Sequence, residues 1–304
     1  MKKMSKILVA GCSVMLASSV AACSSSNDSS SGATAAKSVK IVYIPGGMPY
    51  FGVKKNGNLT GVDGALVDKA AKNVGFKPTT QSSDFAAFLA GIQGGRYDMG
   101  VGGVAWTKER AATGLFTDPV YYSPVVVMCK QGTKPSTTDQ LKGLSVGAIT
   151  ATIQDTGIRA IGGVDAHTYP TPQNAIQDLI AGRLDCISLD VLIVAYTHRQ
   201  RPDLKDFDIT TIQAPTDAQV KANPKLASFQ PYMVAWYLSK SNTKLVDTLN
   251  TEIRAWYKSG FTADVLTKWG VNDPKSLLTP IASFDTARRG VDRPADWTAP
   301  SAGE

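Results

Sequence analysis

Apolar and polar residues follow two different periods along most of the chain. Short apolar runs predict buried strands at residues 39–44, 144–149, 184–189 and 233–238. Apolar residues spaced three or four apart predict helices at residues 61–76, 85–92 and 174–181, and in a long last helix bearing Leu245, Leu249, Ile253 and Trp256. Strands and helices therefore alternate through two successive stretches. This order predicts an α/β protein with two lobes built on mainly parallel sheets.

One segment carries an unusual charge. An apolar run that includes Tyr97 is followed by Gly102-Gly103, and Thr107 then stands where it would cap a helix. Arg110 falls in the first turn of that helix, where free N–H groups already carry the positive end of the helix dipole. A bound anion would explain the cation, because the guanidinium fork matches a carboxylate. The alternative is an arginine that is solvated or paired with a neighbouring acid.

The second half repeats the pattern of the first. Gly-Gly-Arg-Tyr-Asp at residues 94–98 corresponds to Gly-Arg-Leu-Asp at residues 182–185, and each motif precedes a strand with a polar residue at its exit. The first exit leads to Arg110 and the second ends at Asp190. In such sheets ligands bind beyond the carboxyl ends of the strands. An aspartate at this position taken alone is more often a helix cap than a ligand group, but a cation and a carboxylate across a cleft would suit a zwitterion.

The first 22 residues form a predicted signal sequence. Lys2, Lys3 and Lys6 precede an apolar core at residues 7–16, and small residues follow. Val20-Ala21-Ala22-Cys23 resembles the lipobox of bacterial lipoproteins, in which the cysteine receives lipid. The serine-rich stretch after Cys23 has the composition of a flexible tether. The alternative is an ordinary signal peptide with an incidental cysteine.

Composition and net charge limit the kinds of molecule that the protein is expected to bind. The chain has 32 basic residues, three of them in the signal sequence, and 25 acidic ones, so the mature net charge is near +4. No basic run is present, which argues against nucleic acid. The two histidines form no metal motif, and no cofactor is expected. Cys129 and Cys186 lie in strand-like runs and could form a disulfide or remain buried thiols.

A series of short motifs, in a specific order along the chain, makes this sequence resemble a known protein family. In chain order they are Met48-Pro49-Tyr50-Phe51, Gly61-Val62-Asp63, Ser83-Asp84-Phe85, Gly95-Arg96-Tyr97-Asp98, Thr107-Lys108-Glu109-Arg110, Phe116-Thr117-Asp118-Pro119-Val120-Tyr121, Gly182-Arg183-Leu184-Asp185, Asp190, Leu245-Val246-Asp247, Asn250, Ser259-Gly260 and Lys268-Trp269. Over residues 39–271 the chain resembles the polar amino acid family of solute-binding proteins that serve ABC importers. The resemblance implies two Rossmann-like α/β lobes joined by crossing hinge strands, with a ligand cleft between them.

The resemblance also implies roles for particular residues. Arg110 would hold the α-carboxylate of the ligand, and Asp190 its α-amino group. The other residues expected to bind ligand are Tyr50, Phe85, Gly103, Ala105, Thr107, Thr152 and Gln154. The protein would be a monomeric, lipid-anchored, extracytoplasmic protein that delivers an amino acid or related small molecule to a permease.

The expected domain plan follows from the same resemblance. It consists of a signal peptide (1–22), a lipidated cysteine and tether (23–38), lobe 1 (39–122 and 232–275), lobe 2 (123–231) and a C-terminal extension (276–304).

Several positions depart from the family pattern. Ala105 stands where a serine or threonine hydroxyl is common, Gly47 where some members place an aromatic ring, and Ile44 where members that bind basic amino acids can carry an acid. Ala65 replaces an aspartate, and the loop at residues 150–153 lacks the usual glycine. These changes leave the carboxylate site intact, weaken the expectation of a standard α-amino acid and argue against a cationic side chain. Two alternatives stay open, a ligand sensor without transport and a dehydratase-like enzyme on the same fold; the cleft motifs supply only Asp190 as a catalytic acid.

Overall fold

Two five-stranded sheets organise the part of the chain that the computed structural model describes, residues 37–303. The strands are β1 Lys37–Tyr43, β2 Gly52–Val53, β3 Leu59–Thr60, β4 Phe76–Ser82, β5 Met99–Gly100, β6 Leu115–Phe116, β7 Tyr121–Ser123, β8 Val125–Cys129, β9 Ser145–Ile149, β10 Asp165–Tyr169, β11 Cys186–Asp190, β12 Asp208–Thr211, β13 Tyr232–Val234 and β14 Tyr237–Leu238. The α-helices are α1 Val62–Val74, α2 Phe85–Gln93, α3 Lys108–Thr113, α4 Ile153–Ala160, α5 Pro172–Ile180, α6 Val191–Gln200, α7 Asp217–Ala222, α8 Thr243–Ser259, α9 Phe261–Lys268 and α10 Ser283–Arg288. Short 3-10 helices cover Asp139–Leu141, Pro202–Leu204, Pro224–Phe229 and Pro274–Leu277.

Each sheet has a parallel centre and antiparallel additions. The first has the order β4-β1-β5-β14-β6, with β1 parallel to β4 and β5, and β14 antiparallel to its neighbours. The second has the order β10-β9-β11-β8-β12, with β9 parallel to β10 and β11, and β8 antiparallel to its neighbours. Parallel neighbours need crossover helices, which α1, α2, α4 and α5 supply.

Two short strands connect the sheets. β7 and β13 pair antiparallel, with Tyr232 opposite Ser123 and Val234 opposite Tyr121. The chain passes through β7 on its way into the second sheet and through β13 on its way back to the first. The predicted fold class, two α/β lobes joined by crossing strands, is confirmed. The exact lobe boundaries at residues 122 and 231 stay predictions.

Three local predictions were wrong. The helix expected to reach residue 76 ends at Val74, because Gly75 takes the left-handed conformation at φ 82° and β4 begins directly after it. β4 itself was not predicted, since its mainly polar sequence has no strand pattern and only pairing with β1 makes it a strand. The single strand expected at residues 233–238 is two strands, β13 and β14, which belong to different sheets.

The two cysteines left open by the sequence form a disulfide. Cys129 in β8 and Cys186 in β11 stand opposite each other in register and are bonded through sulfur. Both are fully buried in the second sheet.

The C-terminal extension packs against the first lobe through buried polar contacts. Arg288 is 0% exposed, donates to the Thr117 carbonyl and pairs with Asp292. Asp292 also accepts a hydrogen bond from the Trp106 indole, and the Tyr122 hydroxyl of β7 donates to the Pro300 carbonyl. A buried guanidinium with this many partners is expensive to expose. The extension is therefore an integral part of the folded unit.

The predicted signal sequence and most of the tether lie outside the described residues. The tether was expected to reach residue 38, but Lys37 and Ser38 already belong to β1. Among the described helices, none has the length and apolar character needed to cross a membrane.

Candidate functional site

A small cavity lies where the two lobes and the connecting strand β13 meet. Its volume is about 50 Å³, on a scale where one water needs about 10–15 Å³. Its lining consists of Ile44, Tyr50, Phe85, Gly102, Gly103, Ala105, Arg110, Ile149, Thr152, Ile153, Gln154, Pro172, Ser188, Leu189, Asp190, Ile193 and Tyr232. The cavity is thus mainly apolar, with a few polar groups converging on it, as is typical of small-molecule sites.

The structure brings eight of the nine predicted ligand-binding residues to this cavity. They are Tyr50, Phe85, Gly103, Ala105, Arg110, Thr152, Gln154 and Asp190. Thr107 lies outside the lining; its hydroxyl caps α3 by accepting the Arg110 N–H. The binding roles of all nine residues stay predictions.

Arg110 is a buried cation without a buried counter-ion. It is 9% exposed, and among the described residues no carboxylate lies within ion-pair distance of it. Its Nη1 donates to the Ala105 carbonyl at 2.7 Å and its Nη2 to the Ala151 carbonyl at 2.9 Å, while the guanidinium lies 5.0 Å from the Phe85 ring centre. Burial lowers the pKa of Arg110 to about 10. The group stays charged at neutral pH and is poorly compensated.

The Ala105 and Ala151 carbonyls orient this guanidinium. Ala151 has φ 66°, a conformation that residues other than glycine rarely adopt. Thr152 caps α4 directly after it. The two bonds use only two of the five N–H groups of Arg110, so others remain for an anion in the cavity.

Asp190 is a buried anion without a cation beside it. It ends β11 and caps α6, with Oδ1 accepting the Leu192 N–H at 3.0 Å and Oδ2 accepting the Tyr232 hydroxyl at 2.6 Å. Gln154 Nε2 donates to the same hydroxyl at 3.2 Å. Burial raises the pKa of Asp190 from 3.8 to about 6. Asp190 is therefore a helix cap and a cavity-lining charge at once.

Asp63 does not line the cavity, but it holds one of the cavity walls in place through hydrogen bonds. Its Oδ2 accepts the Gly102 N–H at 2.8 Å and its Oδ1 accepts the Trp236 indole N–H at 2.8 Å. Burial raises the pKa of Asp63 to about 6. Gly103 has φ 80°, and a Cβ there would lie 2.9 Å from the Tyr50 ring, so this loop requires glycine to follow the ring so closely.

Tyr232 is the main functional residue that the sequence did not reveal. It comes from β13, far along the chain from Asp190, and no motif marks it. Ser188 was also missed, although it lies two positions before Asp190 and therefore on the same face of β11. The Tyr50 hydroxyl is buried and has no hydrogen-bond partner among the described residues. A buried polar atom of this kind calls for a polar ligand.

The buried charges that line the cavity restrict which ligands it can bind. One buried cation and one buried anion line it, and neither has an ion-pair partner among residues 37–303. Each costs free energy until an opposite charge arrives. A zwitterion would compensate both at once. No group of three His, Cys, Asp or Glu side chains suited to a metal occurs in the described part of the chain.

Comparison with known proteins finds relatives that are named as amino acid-binding proteins. The L-cystine-binding protein TcyJ of Escherichia coli (strain K12) is 27% identical over 237 residues, which cover 75% of this chain and 81% of that protein. An ancestral arginine-binding protein bound to arginine has a TM-score of 0.67 at 21% identity, covering 78% of this chain and 100% of that one. AncCDT-1, an ancestral amino acid-binding protein and a precursor of cyclohexadienyl dehydratase, has a TM-score of 0.64 at 18% identity, covering 76% and 95%.

The solved structures match the fold of this chain. The model of the family described as bacterial extracellular solute-binding proteins, family 3, matches residues 39–272, which is nearly all of both lobes. The chain belongs to the bacterial extracellular solute-binding proteins, family 3.

Proposed function

We propose that this protein is the extracytoplasmic, membrane-anchored binding component of an ABC importer and that its ligand is an amino acid or a related small zwitterion. One observation supports this most directly: Arg110 and Asp190 line one cavity, both buried and both without a counter-ion among the described residues. The names of relatives such as the L-cystine-binding protein TcyJ agree with an amino acid ligand.

Each pole of the zwitterion has a defined place. The ligand carboxylate binds the free N–H groups of Arg110, where Phe85 supports the guanidinium from one face. The ligand ammonium binds Asp190, whose orientation is held by Tyr232. Ala105 supplies no hydroxyl to the ammonium, so Asp190 carries that side of the site.

Ligand analogues that lack one charge test this proposal. A thermal-shift screen compares each amino acid with its amide, which lacks the carboxylate, and with its hydroxy acid, which lacks the ammonium. A ligand at one hundred times its Kd stabilises the folded state by about 2.7 kcal/mol, so only the zwitterion is expected to raise Tm clearly. Equal shifts from an amide or a hydroxy acid would contradict the proposed charge pairing.

Hydrogen bonds that bridge the two lobes would favour a closed cleft. Gln173 Nε2 of α5 donates to the Gly46 carbonyl at 2.6 Å. Arg199 of α6 donates to the Trp269 carbonyl at 2.8 Å and the Gly270 carbonyl at 3.0 Å. A bound ligand adds its own bridge between Arg110 and Asp190, and so shifts the population toward closure. Closure would present a surface to the permease that the open form lacks.

Replacing Arg199 by alanine is expected to speed ligand release. Losing ordinary hydrogen bonds of about 0.5–1.5 kcal/mol corresponds to about a two- to tenfold rise in koff. Stopped-flow or surface-plasmon measurements give koff directly. Arg201→Ala is the matched control, because Arg201 pairs with Asp203 within the same lobe. An unchanged koff in Arg199→Ala, or an equal change in both variants, would show that this contact does not hold the cleft closed.

The proposed anchor is a lipid on Cys23, which lies outside the described residues. Two acyl signals or an acyl chain with a second signal are needed for stable membrane attachment. Cys23→Ser is expected to release the protein from the membrane fraction or to leave it unprocessed, as seen on fractionation and gel mobility. Cys12→Ser, within the predicted signal sequence, is the control. A Cys23→Ser protein of mature size that stays with the membrane would refute the anchor.

The dehydratase alternative has one supporting observation. Asp190 has a pKa of about 6 and could donate a proton near neutral pH. The other ionisable side chains of the cavity lining are Arg110, Tyr50 and Tyr232. Incubation with prephenate separates the two functions: a binding protein leaves it unchanged, whereas an enzyme converts it and loses activity in Asp190→Asn.

A further inference from the structure

A much larger groove adjoins the cavity. Its volume is about 680 Å³, against about 50 Å³ for the cavity. On the scale where a water needs about 10–15 Å³, the cavity holds about three to five waters. That is comparable with the five non-hydrogen atoms of a zwitterionic head group. A side chain of any length therefore needs space beyond the cavity.

The cavity and the groove share walls. Arg110, Thr152, Ile153 and Tyr232 line both, whereas Asp190 lines the cavity alone. Thr152 and Ile153 are only half-buried at the start of α4. The groove therefore lies directly beside Arg110 and beside Tyr232, whose hydroxyl donates to Asp190.

The C-terminal extension builds part of this groove. Ile281, Ser283, Phe284 and Ala287 line it, and all four lie beyond residues 39–272, which the family model matches. Phe284 stacks on Tyr122 of the connecting strand β7, with ring centres 5.2 Å apart, which fixes α10 beside the cleft. Ile281 is 44% exposed, an apolar side chain left open to solvent at the groove.

Eleven of the twenty-one residues that line the groove are apolar. Besides those of the extension and Ile153, they are Trp106, Ala151, Ala214, Pro224, Ala227, Pro231 and Met233, while Thr107, Thr156, Ser228 and Gln230 add uncharged polar groups. Glu109 and Lys225 are the charged residues that line it in addition to Arg110. An aliphatic chain laid in such a groove gains free energy by leaving water.

We propose that this groove is the side-chain subsite of the protein, and that its preferred ligands are zwitterionic amino acids with an elongated, mainly apolar side chain. The inference rests on the proposed function, because the head group must occupy the cavity between Arg110 and Asp190. The side chain passes Thr152 and Ile153 and lies between the second lobe and the C-terminal extension. The extension thereby contributes to ligand selection.

A length series of linear amino acids tests the proposal. Calorimetric titration with alanine, norvaline, norleucine and 2-aminooctanoate measures how affinity depends on chain length. Burial of one methylene strengthens binding about fourfold, so the three methylenes from norvaline to 2-aminooctanoate are expected to give about a sixtyfold gain. A flat or falling series would overturn the proposal.

Variants that fill the groove with a large side chain provide a second test of the proposed subsite. Ala287→Trp places a large ring in the groove from an exposed position of α10, and Ala227→Trp does so from the 3-10 helix Pro224–Phe229. Both are expected to abolish the gain of affinity with side-chain length. Ala295→Trp is the control, an exposed alanine of the same extension that does not line the groove.

The outcomes separate the two proposals. The subsite would be refuted if short amino acids bind and affinity does not rise with side-chain length. It would also be refuted if both groove variants keep that rise. In either case the proposed function still stands. Failure of every amino acid in the series to bind, with folding verified by thermal unfolding, removes the proposed function and the subsite together.

Discussion

Replacing Arg110 by alanine is expected to weaken binding of the best amino acid ligand by about thirty-fold to several thousand-fold. Truncating one partner of a buried charge pair costs about 2–5 kcal/mol, much of it because the other charge is left buried and unpaired. In the variant the ligand carboxylate would lose water without gaining the guanidinium. Calorimetric titration of the wild type and the variant measures the difference.

The stability of the free protein should change less than its affinity. Arg110 is buried without a counter-ion, so removing it relieves a desolvation cost while it loses the hydrogen bonds to Ala105 and Ala151. Thermal unfolding without ligand checks this. Arg110→Ala is thus expected to lower ligand affinity strongly and to change the stability of the free protein little. Such a trade-off between stability and function is common in binding sites.

Two further variants sharpen the test. Arg96→Ala is a matched control, since the Arg96 guanidinium lies 5.4 Å from the Tyr97 ring centre as that of Arg110 lies 5.0 Å from Phe85, but outside the cavity. Arg110→Lys is expected to restore only part of the affinity, because an ammonium lacks the planar fork. Equal affinities of wild type and a folded Arg110→Ala variant would remove Arg110 from the site.

Asp190→Asn is expected to weaken binding by a similar mechanism and to abolish its dependence on pH. Burial holds the pKa of Asp190 near 6 in the free protein, and a ligand ammonium beside it would lower that pKa. Binding to the wild type then releases a proton below about pH 6. Affinity should therefore fall as the pH falls through 6, by up to about tenfold per pH unit.

The stability of the free protein has the opposite pH dependence. The folded state holds the Asp190 proton more tightly than the unfolded chain, so this contribution to stability is present at low pH and is lost as the pH rises from about 4 to 6. Asp63, whose pKa is also about 6, adds to the same trend without lining the cavity. The comparison of wild type with Asp190→Asn isolates the Asp190 part.

Titrations at pH 5, 6 and 7.5 in buffers of different ionisation enthalpy count the protons released on binding. Asp185→Asn is a suitable control, because Asp185 comes just before β11, at the opposite end of the strand from Asp190, pairs with Lys130 and does not line the cavity. A wild type that binds equally well at pH 5 and 7.5, or an Asp190→Asn variant that keeps the wild-type pH profile, would show that Asp190 does not meet the ligand ammonium.

The sequence by itself determined the features that depend on neighbours along the chain. Thr107 was predicted as a helix cap and is one, because a cap bonds a backbone N–H only three residues away. The apolar periods predicted the alternating strands and helices, and so the fold class. Arg110 and Asp190 were found as a pair because the two halves of the chain repeat one local pattern.

Only the tertiary structure decided the features that join distant parts of the chain. β4 is a strand because β1 pairs with it, and residues 233–238 divide because one part pairs with β7 and the other with β5 and β6. Tyr232 reaches Asp190 across 42 positions. One wall of the groove forms because Phe284 of the C-terminal extension packs on Tyr122 of β7. No local period encodes such contacts, since they arise from packing between elements whose separation along the chain is arbitrary.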